Sequence, residues 1–404
     1  MRESGEDKVQ FTSNLMIFLE AIIQEPHAPR QQFPEMPTKI TTTEFMPAPG
    51  SVSSAFCPPP ISRVLKMRLA AVVCASLVLL SAPAFADDSS ATLKAGGLVL
   101  QKTDKIALVS EELYLSAKNI KISYRFRNLT DADYTTIIAF PMPDVTGNIN
   151  FTIAIPDPAN DNFLKFQTSV DGQPLASQIE QRAFLVAEGH PDEEVTDKLK
   201  ALHIPLVPTV EATEAAMARL TDAQRKSLAN AGIVEPQEFN DDGGRRFVQV
   251  PVWTLRSKFW RTQTFPKGRD ITVQQSYTPV VGSQSTLSIG SPEMDPSQLE
   301  NYRMQFCVDE TFMKSARALY KKQDAAQNQM FEQYLAYVIT SGGNWAGPIG
   351  DFKLIVDKGD PKAFVSFCGD GVKKTGPTQF ELQIRNYTPD RDIDVLFLRP
   401  APTR

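Results

Sequence analysis

Three groups of side chains have the types and spacing to do chemistry. Asp390, Asp392 and Asp394 form the tightest carboxylate cluster. Converging on one water, two of them would serve hydrolysis, and with further oxygen ligands they would hold calcium. At period two along a strand, however, they read first as a solvated edge. Arg256, Lys258 and Trp260 alternate along an amphipathic stretch, and an aromatic ring between basic groups suits stacking on a sugar or holding an anion. A half-buried edge strand guarded by charge is the plainer reading of the same residues. Trp345 lies in the glycine-rich run Ser341–Gly350 and completes the candidate ligand surface: Arg256, Lys258, Trp260 and Trp345. That run, like Gly369–Thr375, lacks the lysine-serine or lysine-threonine pair and the strand-to-helix setting of a phosphate loop, so both read as loops between strands.

The remaining reactive types point to structure. His190 and His203 are the only histidines after residue 86, and no other ligand stands at metal spacing from either. They read as surface or packing residues. Cys307 and Cys368 lack a CxxC spacing and a nearby histidine. In an oxidising compartment two such cysteines favour a structural disulfide over a redox pair. No catalytic residue, metal site or cofactor is expected, and the partner is expected to be an envelope protein or a glycan.

The compartment is read from Met67 to Ala86. Arg63, Lys66 and Arg68 precede an uncharged core, Leu69 to Leu80, and Ala84-Phe85-Ala86 fits the small-x-small cleavage rule of a signal peptide. The core is too short to cross roughly 30 Å of hydrocarbon. A periplasmic or secreted protein beginning at Asp87, with no transmembrane segment in the mature chain, is therefore expected. Residues 1–66 hold nine of the chain's 30 prolines. They read as a disordered or non-native upstream extension.

The 318 residues after Ala86 carry 35 basic and 40 acidic side chains. That mild acidity argues against nucleic acid as a partner. From Asp87 the pattern has period two: Ile120, Ile122, Tyr124 and Phe126 alternate with Lys121, Ser123, Arg125 and Arg127. Tyr134–Met142 reads as a central strand ended by Pro141 and Pro143, Ile149–Ile155 as another strand, and Asp171-Gly172 as a tight hairpin turn. Between His190 and Val234 the period changes. Pro191 followed by three acidic residues suggests a helix start, and Thr221 with Gln224 a capping box. Strands return from Val252 to Phe265, with Trp253, Leu255, Phe259 and Phe265 on one face. Asp309 caps a helix, and five further strands are expected between Tyr334 and Leu398.

The expected fold is mainly β: two antiparallel immunoglobulin-like β-sandwich regions, 87–188 and 241–404, with a small helical insertion at 189–240. Phe126-Arg127-Asn128-Leu129-Thr130 with Asp133 echoes Ile384-Arg385-Asn386-Tyr387-Thr388 with Asp392, as if one hairpin served both regions.

Asp87–Ala91 with Ala95-Gly96-Gly97-Leu98, Glu111–Tyr114, Tyr124–Asn128 and Ala139–Asp144 together resemble the family called domain of unknown function 4424. Asn344-Trp345, Gly347–Gly350 and Phe367-Cys368 extend the likeness over nearly all of 87–404. The resemblance implies a bacterial exported protein. It implies no activity and carries over no functional residue. The function expected is a non-enzymatic envelope binding or interaction module, with an envelope hydrolase acting on glycan or peptide and a purely structural envelope protein as alternatives.

Overall fold

Alternation of apolar and polar residues builds most of the molecule. In the computed structural model, which describes residues 89–94, 97–147, 152–187, 189–241, 244–323 and 329–401, it gives β1 (Ser89–Lys94), β2 (Gly97–Gln101), β3 (Ile106–Ser116), β4 (Ile120–Asn128), β5 (Tyr134–Pro141), β6 (Val145–Thr146) and β7 (Thr152–Ala154). Next come β8 (Gln167–Val170), β9 (Gln173–Leu175), β10 (Gln178–Leu185) and β11 (Glu193–Glu194). Three helices follow, α1 (Thr196–Ala201), α2 (Val210–Met217) and α3 (Asp222–Asn230). Strands resume as β12 (Val234–Asp241), β13 (Gly244–Pro251), β14 (Thr254–Phe265), β15 (Asp270–Tyr277) and β16 (Val281–Gln284). After α4 (Pro296–Phe306) and α5 (Glu310–Lys322), the chain ends with β17 (Met330–Tyr337), β18 (Ile349–Asp357), β19 (Phe364–Phe367), β20 (Lys373–Lys374), β21 (Gln379–Tyr387) and β22 (Ile393–Pro400). The stretch read as a signal peptide, the proline-rich 1–66 and part of the expected strand Ile149–Ile155 lie outside the described residues.

The strands form an eight-stranded sheet, β20-β21-β18-β3-β4-β15-β8-β9, a seven-stranded sheet, β11-β10-β14-β5-β1-β2 with β6 beside β14, a five-stranded sheet, β19-β22-β17-β16-β7, and the separate ribbon β12-β13. The protein is mainly β, and among the described residues its sheets are built from antiparallel pairs with one parallel pair, β3 with β18. The eight-stranded sheet takes strands from both 87–188 and 241–404. One core joins all three large sheets: Ile122, Tyr124, Phe126, Val273 and Leu354 from the eight-stranded sheet meet Ile138, Phe140, Leu255, Phe259 and Phe265 from the seven-stranded one and Leu335, Tyr337, Val395 and Phe397 from the five-stranded one.

Two smaller cores hold the helices. Tyr302 and Phe306 of α4 and Met313 and Ala316 of α5 pack on Tyr334, Leu396 and Leu398, so β22 is buried on both faces. Leu199, Ala216, Met217 and Leu228 of the inserted helices pack on Ala183 and Trp253. The capping box at Thr221 and Gln224 forms, and Asp309 caps α5 by accepting from the Phe312 amide at 2.7 Å. The helix read at Pro191 does not start there. Glu193 and Glu194 pair with β10, Glu194 accepts from Arg182 and Thr196, and α1 begins at Thr196. For Glu194, an arginine on the neighbouring strand outweighs a helix dipole as the partner.

Candidate functional site

A cleft of about 660 Å³ opens where three loops meet. Its walls are Lys102, Thr103 and Asp104 between β2 and β3, Gly343 and Trp345–Pro348 before β18, and Tyr387 at the end of β21 with Thr388 and Pro389 after it. Backbone bonds fix the walls: the Thr103 amide donates to the Asn344 carbonyl at 2.8 Å and the Ala346 amide to the Ile106 carbonyl at 2.9 Å. Gly347 takes a φ of +77°, where a side chain strains the backbone. A Cβ on Gly350 would lie 2.4 Å from the Val109 carbonyl oxygen, beside the register shift between Leu108 and Ser110. Glycine there lets β18 settle against β3 and aims the preceding loop at the cleft.

Trp345 sits beneath these loops, 3% exposed, its ring 4.7 Å from Phe126 and 6.4 Å from Phe265. The core between the sheets takes most of the indole, and the residue still contributes to the cleft wall. Tyr387 stacks on Phe352 at 4.7 Å. Burial, helped by the negative charges of Asp390 and Glu111, pushes its phenol up to about 12. At neutral pH that group donates a hydrogen bond and cannot act as a base.

Arg256, Lys258 and Trp260 share the outer face of β14, away from Leu255, Phe259 and Phe265, and Arg261 and Gln263 join the buried side. The three outer residues are committed to contacts within the chain. Arg256 donates to Asp144 at 3.1 Å and Asp192 at 2.7 Å and lies over the Phe184 ring. Burial raises the Asp144 carboxyl above its usual range although Arg256 pulls it down. Lys258 pairs with Glu180 at 3.4 Å, and Trp260 packs against the cluster of Ala91, Leu98 and Ala139. The structure does not bring Trp345 together with these three.

The carboxylates at the start of β22 are not a plain solvated edge. Asp392 accepts from the Thr340 amide and hydroxyl at 3.2 and 2.9 Å, and Asp394 accepts from Gln305 of α4 at 3.2 Å. Burial raises both, Asp394 to about 6, with the charge of Asp392 adding to the effect. His190 and His203 are both exposed. Among the described residues no group of three His, Cys, Asp or Glu side chains is set to hold a metal ion, and no helix is long and apolar enough to cross a membrane. Cys307, which ends α4 at a φ of +50°, is bonded to Cys368, with Cα atoms 5.0 Å apart.

Sequence reasoning missed Glu332, which is fully buried in β17. It accepts from the Ser288 amide at 2.6 Å, the Ile289 amide at 2.8 Å and the Tyr302 phenol at 2.6 Å, as well as from the Ser288 hydroxyl and Tyr334. Burial and the Glu332 charge raise both phenols well above the usual tyrosine range. Its signal was phase, since Met330, Glu332 and Tyr334 share one side of a strand whose other members there are apolar.

Comparison with known proteins adds a family. No curated protein matches the sequence significantly. A solved structure from Legionella pneumophila, named a "putative nutrient binding protein", is 11% identical over 78% of this chain and 70% of that one, with a TM-score of 0.36, too weak a likeness to assign a shared property. The family model described as Domain of unknown function (DUF4424) matches residues 86–396, the whole of the described β architecture up to the middle of β22. The chain belongs to the Domain of unknown function (DUF4424) family.

Proposed function

We propose that the protein is a non-catalytic binding module of the bacterial cell envelope, with an envelope peptide or glycan fragment in the cleft beside Tyr387. The cleft carries this reading. Its volume, about 660 Å³, falls within the size of small-molecule sites. Small residues and prolines form most of its wall, Lys102 and Asp104 offer one charge of each sign, and the Tyr387 phenol keeps its proton at neutral pH. That is the equipment for orienting a ligand. Export belongs to the same proposal. The pattern from Met67 to Ala86 supports it, and so does the Cys307–Cys368 bond, a kind that persists in oxidising compartments.

Thr388 is exposed on the cleft wall, so Thr388→Trp narrows the cleft without entering the core. Among cell-wall peptide and glycan fragments, at least one is expected to raise the melting temperature of the native protein and to leave that variant unmoved. No shift with any fragment, or an equal shift in the variant, contradicts the proposal. Turnover of a fragment replaces it with the hydrolase.

A further inference from the structure

Away from the cleft, the outer face of the seven-stranded sheet already holds a peptide segment, and the segment is the chain's own. β1 pairs with β5 only from Ser89 to Ala91. Beyond Ala91, among the described residues, Thr92–Lys94 and the whole of β2 have only each other as strand neighbours. Side chains hold this end down. The Leu98 amide donates to Glu180 Oε2 at 2.9 Å, and Lys258 Nζ donates to the Leu98 carbonyl at 2.8 Å. Glu180 and Lys258 face each other across β10 and β14. One ion pair therefore satisfies both backbone groups of one residue, the task a neighbouring strand performs in a sheet. The Leu98 side chain is 3% exposed, packed with Ala91, Ala139 and Trp260. On the same hairpin Leu93 is 65% and Val99 38% exposed.

We propose that Lys258, Glu180 and Trp260 form a docking site for an extended peptide bearing an apolar side chain, and that residues 97–101 are its resident occupant, displaced when a segment of a partner protein takes the same place. The seated segment displays the chemistry the site accepts. The two backbone contacts are indifferent to the occupant's sequence, and selectivity falls on the side chain that rests on Trp260. Among the described residues the hairpin end has no strand neighbour outside the hairpin, and a segment held by so few contacts opens locally at low cost. Its release leaves the start of β1 in place, because Ser89–Ala91 keep β5 and the Ser89 hydroxyl accepts from Asn344 at 3.0 Å. A resident occupant lowers the apparent affinity for any competitor by the fraction of time the site is closed.

The test uses the purified oxidised protein and a dye-labelled, end-blocked synthetic peptide copying residues 92–102, read by fluorescence anisotropy. Leu98→Ser in the protein removes the resident's anchor and leaves the site untouched, so the peptide is expected to bind about tenfold more tightly than to the native chain. Val99→Pro gives a second route: the Leu98 groups point away from β1, so alternation turns the Val99 amide toward it, and proline there loosens the hairpin without touching the core. Lys258→Met combined with Glu180→Gln is expected to abolish binding in every background, and a peptide with serine for leucine at the position of Leu98 is expected to fail on all of them. The proposal is overturned if neither loosened variant gains affinity, or if adding the Lys258 and Glu180 substitutions to a loosened variant leaves its affinity unchanged. Thr388→Trp leaves this binding unchanged, so the fate of the cleft reading is scored separately.

Discussion

Glu332 is a charge placed where its strand calls for an apolar side chain, and five donors make it tolerable there. Removing the carboxylate strands two phenols and two amides in a dry core. Glu332→Ala is expected to lower the unfolding free energy by about 3–5 kcal/mol in urea titration, the usual consequence of breaking a buried charged network. Asp394 behaves in the opposite sense. Burial raises its carboxyl to about 6 in the folded chain, against an ordinary value near 3.9 when unfolded. The folded state therefore binds more protons between those values, and this group's contribution is full below about pH 4 and lost as pH rises through about 6. Relative to Asp394→Asn, the native protein is expected to gain on the order of 2 kcal/mol between pH 7.5 and pH 4.5, measured as the difference between the two chains' denaturation curves. A difference that does not change with pH contradicts this. The sequence shows these aspartates as a cluster but not the partners of Asp392 and Asp394, because Thr340, and Gln305 of α4, come from separate parts of the chain.

At the scale of elements, local rules were readable where the deciding partner is local. The alternation of Ile120, Ile122, Tyr124 and Phe126, the positive φ values of Asp171 and Gly172, the capping box at Thr221 and the cap at Asp309 all depend on residues within a few positions. Reading failed where the partner is distant. The acidic run at Glu194 reads as a helix start, yet Glu194 meets Arg182, and nothing near Trp260 in sequence announces the hairpin it lies against, which begins 171 residues earlier in the numbering. The local signal for α4 is Asp295-Pro296, a cap and a first-turn proline. The Cys307–Cys368 bond fastens the end of that helix to the strand region after β19, across a separation of 61 residues. Replacing both cysteines by alanine is expected to cost about 4 kcal/mol, less whatever order the reduced chain retains, and an unchanged urea midpoint contradicts a structural role.

Over the whole molecule, composition and period sufficed for a mainly β protein with inserted helices, but not for its weaving. The parallel pairing of β3 with β18 joins residues more than 230 positions apart, and no local pattern encodes it. The same is true of the cleft. The run Ser341–Gly350 and the turn after Asn386 each read as an ordinary loop, and only the pairing of β21, β18 and β3 in one sheet brings them beside Lys102–Asp104. A site built from loop ends has little signature in sequence, since its residues are chosen for small size and backbone shape more than for reactivity.

The central claim, an exported module that holds a ligand in the Tyr387 cleft, is tested most directly by native mass spectrometry of the protein recovered from a periplasmic extract without denaturant. The account predicts the mass of Asp87–Arg404 less two hydrogens, together with a bound species that is missing from the Thr388→Trp variant prepared in the same way. A chain that retains residues 1–66 with both thiols free, or a bound species carried equally by the variant, contradicts it.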